Sequence, residues 1–324
     1  MRRIAEPLSH MGARIEGAAS GAGSSELFPP LTIHGRRPLK AIRYTLPIAS
    51  AQVKSAILLA GLFADGRTTV VETLHTRDHT ERMFRVFGLN VHGHDSEVSI
   101  EPGGLTSPGT VVLPGDFSSA AFFIIAASCA PGSRITLHEV GLNPTRTGLL
   151  KVLQRMGASV QIMQTDDSWE PRGTLVVEAR RLHGTSVEAR EVPSVIDELP
   201  ILMVAAACAQ GVSRFQGVGE LRVKETDRIQ SMINGLRQLG IQVRLPAPDT
   251  VEIEGGRLTG AAVDSAGDHR SAMSLAVAGL IAEGITSVRG IECVNKSFPE
   301  FFDQLRLVAG SATVKSVDKV SGLC

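Results

Sequence analysis

Two cations stand four residues apart in a strongly charged stretch, "LRVKETDRI", over residues 221–229. If this stretch were helical, Lys224 and Arg228 would share a face, and like charges at that spacing repel each other. Two acidic residues, Glu225 and Asp227, stand between them. One interpretation is a solvated helix face. The other is a binding socket for an anion, whose negative charge would offset the repulsion.

The composition limits how such an anion could be attracted. The chain of 324 residues is long enough for about two domains, and its 33 basic and 33 acidic residues leave no net charge. Nothing therefore indicates nucleic acid or an anionic membrane as a partner, and attraction for an anion has to be local. Because 43% of the residues are hydrophobic but only 4% are aromatic, aliphatic cores of helices layered on sheets are favoured.

Cysteine usage and the apolar segments predict a cytoplasmic protein. The four cysteines, of which Cys129 and Cys208 lie in Ala-rich runs, form no C-x-x-C motif, as expected of a reducing compartment. The opening "MRRIAEPLSHMGARIEG" lacks the apolar segment of a signal peptide. The longest apolar run, about "AAFFIIAASCA", is too short to span a bilayer.

Four segments of the chain share one plan. Each has an Ala-rich helix that closes at a glycine, a β-branched strand, a polar loop, and an amphipathic helix that closes at a second glycine. The first glycines are Gly66, Gly132, Gly211 and Gly284, and the second are Gly88, Gly157, Gly240 and Gly310. A recurrence about every 70 residues indicates a duplicated β-α-β-α-β unit in an α/β fold.

The beginning of the chain matches the end of such a unit. "PLSHMGARI" resembles "VLQRMGASV" and "GLRQLGIQV", so Gly12 is a further copy of the second glycine and the sequence opens within a repeat. We expect a boundary near residue 113, where glycine and proline are frequent. Residues 1–113 would hold one full repeat and the tail of another, and residues 114–324 three repeats. The segment 17–30 predicts a flexible loop.

Polar residues collect where the predicted helices begin. Asp116, Ser118 and Thr147 need be no more than helix caps. His75 and His79 are better explained as core or capping residues than as metal ligands, because no third ligand is suitably spaced. The sequence therefore predicts no metal site.

Cations at the same positions call for another explanation. Arg77, Lys224, Arg228 and Arg270 all stand near predicted helix N-termini, where the helix dipole disfavours positive charge. Free N–H groups and the positive dipole make a helix N-terminus suited to anions. These cations therefore indicate binding sites for an anionic ligand.

The motifs together resemble a known family. "LPIASAQVKSA", "TRDHTE", "NPTRTG", "LRVKETDR", "GDHRSAMS" and "SFPEF" are similar to those of the EPSP synthase (3-phosphoshikimate 1-carboxyvinyltransferase) family, over essentially the whole chain. "IASAQVKSA" with "TRDHTE" is closer to the glyphosate-insensitive bacterial type. The resemblance implies a two-lobed α/β fold of repeated units whose helix ends face a cleft, with neither a metal nor an organic cofactor.

The same resemblance implies the reaction and the residues that perform it. The carboxyvinyl group of phosphoenolpyruvate is transferred to the 5-hydroxyl of shikimate 3-phosphate, and phosphate is released. Asp197 is the expected general base, Glu225 exchanges a proton with the methylene carbon, and Lys224 meets both substrates. The other expected binding residues are Arg228 and Arg270 for phosphoenolpyruvate, Ser50, Ala51, Gln52 and Arg77 for the shikimate phosphate, and Lys296 for phosphate. Asp227 is expected to pair with a nearby cation.

The sequence departs from the family in one respect. The early Lys-Ser-x-x-x-Arg motif and the Asn-Ala-Gly loop do not occur in residues 1–324, and the arginine of the family's Arg-Pro step is expected to fall just before Met1. About half of the family's site is therefore expected here, with negligible turnover unless a missing N-terminal segment joins it. One alternative is the UDP-N-acetylglucosamine enolpyruvyl transferase, against which "RVKETDR" speaks. Another is a non-catalytic, anion-binding remnant.

Overall fold

A computed structural model describes residues 1–19, 26–310 and 313–315. Helices α1 to α10 span, in order, Arg2–His10, Ala51–Gly61, His79–Val86, Phe117–Cys129, Gly148–Arg155, Val192–Val195, Leu199–Cys208, Arg228–Gln238, His269–Ile281 and Phe301–Ala309. Strands β1 to β15 span Arg14–Ala19, Leu27–His34, Arg43–Thr45, Thr68–Val71, Val91–His94, Glu97–Ile100, Arg134–Gly141, Ser159–Asp166, Arg172–Glu178, Ser186–Val187, Val212–Phe215, Gln242–Ala247, Thr250–Glu254, Ala262–Asp264 and Ser287–Arg289. Two 3-10 helices span Gly219–Val223 and Ile291–Lys296.

The chain divides into two compact units. The first contains Met1–Leu113 together with the short segment Ser168–Glu170. The second contains Pro114–Asp167 and the described residues from Pro171 onward. Within the described residues, no helix combines the length and the apolar character that crossing a membrane requires.

The repeated α/β plan is present in both units, with one strand more than expected. In the first unit, β3 and β4 are parallel neighbours joined through α2, and α3 leads to the antiparallel hairpin β5–β6. The strand order is β3-β4-β6-β5. The second unit repeats this order as β10-β11-β13-β12, with α7 and α8 in the equivalent positions. The prediction of repeated units is confirmed, but each of these two ends in a hairpin rather than in a single strand.

Four amphipathic helices, α1, α3, α5 and α8, end in the same backbone turn. The residue after each C-cap is a glycine with φ between 80° and 93°, namely Gly12, Gly88, Gly157 and Gly240. After α8, the Gly240 N–H donates to the Arg237 carbonyl at 3.0 Å, and the Ile241 N–H donates to the Leu236 carbonyl at 3.0 Å. This is the Schellman arrangement, which favours glycine because of its left-handed backbone. The prediction that Gly12 is a further copy is confirmed.

The Ala-rich helices end differently from the prediction. Helices α4, α7 and α9 are each followed by an alanine C-cap in an extended conformation, and the expected glycines lie beyond it. Gly132, Gly211 and Gly284 have φ between 76° and 94°, so they turn the chain toward the next strand instead of closing the helix. After α2, Gly66 is farther from the helix end, which is Gly61.

The prediction of a loop over residues 17–30 is wrong for its described part. Strands β1 and β2 pair antiparallel there, with Gly17 opposite Leu31 and Ala18 opposite Phe28. Residues 20–25 lie outside the described residues. The Gly/Ser-rich composition obscured two strands that the flanking apolar residues would have favoured.

Three apolar helices form the centre of the second unit. Helices α4, α7 and α9 pack against one another, and every residue from Leu199 to Ala207 of α7 is buried. A helix that is apolar on all sides is expected to be buried on all sides. The core of the first unit is smaller and contains Ile57 and Leu58 of α2, Val70 and Phe84.

Candidate active site

Four helices of the second unit begin close to one another. Ser118, in the first turn of α4, donates a hydrogen bond to Glu198, the N-cap of α7. Arg270, in the first turn of α9, donates to the backbone carbonyl of Asp197 at 2.8 Å. Arg228, the first residue of α8, bonds Asp268, the N-cap of α9. The positive dipole ends of α4, α7, α8 and α9 therefore meet at one place, which suits negative charge.

The Asp197 carboxylate lies between two guanidinium groups. Its Oδ1 is 3.9 Å from Arg228 Nη1, and its Oδ2 is 3.8 Å from Arg270 Nη2. Its side chain is 16% exposed, whereas that of Arg228 is only 2% exposed. Structure and sequence agree here, because the three residues predicted for catalysis and binding are brought together. A carboxylate held by cations but open to solvent on one side can accept a proton from a bound hydroxyl.

Arg228 is also bonded to two further carboxylates. Its Nε donates to Asp268 Oδ2 at 2.8 Å, and its Nη2 donates to Glu225 Oε2 in a short charge-assisted hydrogen bond. Burial raises the pKa of Asp268, but attraction to Arg228, its hydrogen bond and the Ser271 N–H outweigh this, so that the pKa lies below its usual value. Sequence analysis gave Asp268 no role. Its position as an N-cap before an apolar helix was a signal that could have found it.

Lys224 and Arg228 do not share a helix face. Helix α8 begins only at Arg228, with Asp227 as its N-cap, and Lys224 lies in the extended backbone after the preceding 3-10 helix. Lys224 Nζ lies 3.8 Å from Glu220 Oε1, and the Lys224 side chain is 27% exposed. Each cation thus has an acidic neighbour of its own.

Asp227 has the structural role that the sequence predicted. Its Oδ1 accepts the Gln230 N–H at 3.0 Å, which caps α8. Its Oδ2 accepts from Arg222 Nη1 at 2.7 Å, and Arg222 Nε donates to the Pro248 carbonyl at 2.9 Å. The 3-10 helix that leads to Lys224 is therefore fixed to the start of α8.

A buried acid next to Asp197 was not anticipated. Glu198 is 1% exposed; it accepts the Ser118 hydroxyl, whose oxygen accepts from Arg146 Nη2 at 2.5 Å. Burial raises the pKa of Glu198, although Arg146 and Arg270 partly oppose this effect. The interpretation of Ser118 as only a cap is wrong, because the side chain that caps α4 belongs to Asp116.

Two residues lie on or beside α9. His269 is its first residue; burial lowers the pKa of His269, an effect that Asp268 opposes and Arg270 reinforces. Lys296 ends the 3-10 helix that packs against α9, and its side chain is exposed. The structure does not place Lys296 in the ion-pair cluster around Asp197.

The first unit has a cavity of its own, with a volume of about 370 Å³. It is lined by Ala51, Gln52, Ser55, Ala56, Leu59, Arg77, His79 and Thr80. The first turns of α2 and α3 both contribute, and the Ser55 and Thr80 hydroxyls, 2.6 Å apart, join the two helices. Ala51, Gln52 and Arg77, predicted together, are brought together. Ser50 caps α2, since its Oγ accepts the Val53 N–H at 3.4 Å.

His75 and His79 were predicted to be core or capping residues; neither is a core residue, and the N-cap of α3 is Asp78. The His79 side chain is 44% exposed, and its Nδ1 lies 3.0 Å from Oε1 of the buried Glu170. The His75 side chain is exposed and lies 4.0 Å from Glu72. In the part of the chain that the structure describes, no three His, Cys, Asp or Glu side chains are grouped for a metal ion.

Comparisons with known proteins identify the family of this chain. A family described as EPSP synthase (3-phosphoshikimate 1-carboxyvinyltransferase) matches residues 1–305. The 3-phosphoshikimate 1-carboxyvinyltransferase of Nitrosococcus oceani is 50% identical over 305 residues, which are 94% of this chain and 67% of that protein. The protein of the same name from Halorhodospira halophila is 50% identical over 309 residues, with 94% and 68% covered.

Solved structures agree with this result. EPSP synthase from Acinetobacter baumannii superposes with a TM-score of 0.84 at 42% identity, over 95% of this chain and 70% of that one. The enolpyruvyl transferase NikO from Streptomyces tendae superposes with a TM-score of 0.73 at 16% identity, which shows a common fold. The resemblance seen in the motifs is confirmed, and the chain belongs to the EPSP synthase family.

Proposed function

We propose that this protein transfers the carboxyvinyl group of phosphoenolpyruvate to the 5-hydroxyl of shikimate 3-phosphate. The observation that supports the proposal is the position of the Asp197 carboxylate, between Arg228 and Arg270 where four helices begin. Both substrates are anions, and the meeting helix N-termini attract negative charge. Membership of the EPSP synthase family gives the reaction, and the cluster gives residues that fit it.

Asp197 takes the proton of the attacking hydroxyl, whose oxygen bonds to the central carbon of phosphoenolpyruvate. Glu225, whose side chain is half-exposed, gives a proton to the methylene carbon, which becomes a methyl group in a tetrahedral intermediate. The departing phosphate takes the proton held by Asp197, and return of one methyl proton to Glu225 then forms the enolpyruvyl ether. General acid–base steps of this kind typically contribute 10²–10⁴-fold to the rate.

The cations divide the binding of the two substrates. Arg228 and Arg270 bind phosphoenolpyruvate, Lys224 meets both substrates, and Lys296 binds phosphate. The exposed side chain of Lys296 and the partly exposed side chain of Lys224 support these roles, because both are accessible to an anion. Arg228 is held by Asp268, so its orientation is set before an anion arrives.

The cavity of the first unit binds the phosphate of shikimate 3-phosphate. Arg77 supplies the positive charge, Gln52 supplies amide N–H donors, and the first turns of α2 and α3 supply the positive ends of two helix dipoles. Ser50 and Ala51 shape the entry to α2. Half of the wall residues, Ala51, Ser55, Ala56 and Thr80, have small side chains that leave room for the ligand.

A cytoplasmic location is part of the proposal. The cysteines of the described residues, Cys129, Cys208 and Cys293, are all free thiols. Free thiols in these numbers are typical of a reducing compartment.

The test measures binding and turnover on the same preparation. Isothermal titration should show that shikimate 3-phosphate binds and UDP-N-acetylglucosamine does not. Phosphate release, measured with a chain completed to the length of its relatives, should need both phosphoenolpyruvate and shikimate 3-phosphate. Release with the UDP-sugar would move the protein to the alternative transferase. Binding of shikimate 3-phosphate without any release would contradict the catalytic proposal and favour a non-catalytic, anion-binding protein.

A further inference from the structure

A lysine is completely buried behind the cavity of the first unit. Lys54, on α2, is 1% exposed; its Nζ lies 3.1 Å from Glu72 Oε1 and 2.6 Å from Glu81 Oε1. Both carboxylates are buried as well. Replacing a buried ion pair by apolar side chains is often neutral or even stabilising. Stability alone therefore gives no reason for a lysine at this position. A lysine that fixes the arrangement of the surrounding segments would explain it.

Two of the three charged residues lie on the helices that contribute to the cavity wall, and the third lies at the end of a neighbouring strand. Lys54 lies on α2, which contributes Gln52 and Ser55, and Glu81 lies on α3, which follows Arg77. Glu72 comes directly after β4, and its backbone N–H donates to the Ser96 carbonyl at 2.7 Å. One ammonium group thus connects both helices to the end of a paired strand.

Glu72 also controls the residue before Arg77. Its Oε1 accepts the Thr76 backbone N–H at 3.0 Å and the Thr76 hydroxyl at 2.5 Å. Thr76 is buried, whereas Arg77 is partly exposed and lines the cavity. Because the Thr76 N–H and hydroxyl are both held by one oxygen, the backbone that leads into Arg77 has little freedom.

The two carboxylate oxygens of Glu81 have different surroundings. Its Oε1 meets Lys54, while its buried Oε2 has no hydrogen-bond partner among the described residues. Burial raises the pKa of Glu81, an effect that Lys54 partly opposes. A proton retained on Glu81 would leave one positive and one negative charge in the group, which limits the cost of burial.

We propose that Lys54, Glu72 and Thr76 form a positioning network that orients Arg77 toward the phosphate of the bound substrate. This inference rests on the proposed function, in which the cavity of the first unit holds the phosphate of shikimate 3-phosphate. The network touches no substrate. It acts through Arg77, because misplacing a binding group by about 1 Å can cost up to ~100-fold.

The test compares two ligands that differ only by the phosphate. Shikimate 3-phosphate and shikimate are titrated into the wild type and the Thr76→Val, Thr76→Ser, Lys54→Met and Arg77→Met variants. Val keeps the shape of Thr76 but removes the hydroxyl, whereas Ser keeps the hydroxyl and removes only the methyl group. The wild type should prefer the phosphorylated ligand. Thr76→Val and Lys54→Met should reduce this preference about 10-fold or more, within the range expected for a displaced binding group, and Thr76→Ser should retain it.

A double variant shows whether the network acts through Arg77. On the Arg77→Met background, Thr76→Val should have no further effect on the preference, since coupled residues are not additive. Additive losses, or equal losses for both ligands, would overturn the inference and leave Thr76 with a structural role only. If Lys54→Met does not fold, the Thr76 variants decide. A wild type that does not prefer the phosphorylated ligand would instead contradict the proposed function of the cavity.

Discussion

Arg228 and Asp268 form a buried ion pair in which Nε donates to Oδ2 at 2.8 Å. Both side chains are almost inaccessible to solvent. Asp268 Oδ1 also accepts the Ser271 N–H at 2.8 Å and so caps α9. One carboxylate therefore holds the proposed phosphoenolpyruvate-binding arginine and begins the helix that carries Arg270. Substitutions that remove one of these functions at a time can separate them.

Asp268→Asn keeps the cap but removes the charge, and Asp268→Ala removes both. Urea unfolding at neutral pH should show a loss of up to ~3 kcal/mol for Asn, because Arg228 would be left partly unpaired in the interior. Ala should lose about 1 kcal/mol more, the usual contribution of an N-cap. Equal losses in the two variants would show that the cap contributes nothing.

The same pair predicts a dependence on acid. The folded pKa of Asp268 is lowered, so its stabilising contribution is present above the unfolded value of about 3.9 and is lost as the pH falls through the folded value. The difference in unfolding free energy between wild type and Asp268→Asn should therefore shrink below about pH 4. A difference that stays constant from neutral pH into this range would contradict the assignment.

In a chain completed to the length of its relatives, Asp197→Asn should lower turnover far more than it weakens substrate binding. The amide keeps the shape of the carboxylate but cannot accept the hydroxyl proton, so the rate should fall by about 10²–10⁴-fold. Dissociation constants for both substrates should change by less than ~10-fold, because Asp197 is not itself a cation that binds them. Phosphate-release kinetics with titration of each substrate checks this, and unchanged turnover would remove Asp197 from the mechanism.

Lys224→Met should weaken substrate binding and Arg222→Met should lower stability, although the two cations are close in the chain. Lys224 is partly exposed and lies near Glu220, so its loss should change stability by less than about 0.5 kcal/mol while weakening substrate binding. Arg222 bonds Asp227, the cap of α8. Its loss should destabilise the protein and leave substrate affinity nearly unchanged. Reversed results would assign binding to Arg222.

Local signals predicted the repeats well. Gly12 and Gly240 could be recognised as equivalent because only glycine adopts the left-handed turn at low cost, and this turn recurs after each amphipathic helix. Arg270 and Arg228 were found for a related reason, since a cation at a helix N-terminus is unfavourable without a partner.

Contacts between distant residues could not be predicted in this way. Lys54 stands among apolar residues of α2, and nothing in its neighbourhood indicates that Glu72 and Glu81 enclose it. The start of α8 had a local signal instead. Asp227 is a strong N-cap residue, which favours a helix that begins at Arg228 and leaves Lys224 outside it.

The raised pKa of Glu198 predicts a dependence of stability on pH above about 4.5. Its folded pKa is raised above the ordinary value of 4.5, so between the two values the native state binds more protons than the unfolded state. The free energy of unfolding therefore falls as the pH rises through that window. Glu198→Gln can still accept the Ser118 hydroxyl but has no charge to bury. Its stability relative to the wild type should increase from pH 4 to pH 7.

Glu254→Gln is the matched control. Glu254 is an exposed carboxylate, and its only ion pair among the described residues is a long one of 3.8 Å to the exposed Arg244. Its unfolding free energy should stay within about 0.5 kcal/mol of the wild type at each pH. Urea unfolding across this range separates the two substitutions. If Glu198→Gln followed the control at every pH, the carboxyl would be ionised without cost in the folded protein, and the helix N-termini together with Arg146 and Arg270 would fully offset its burial.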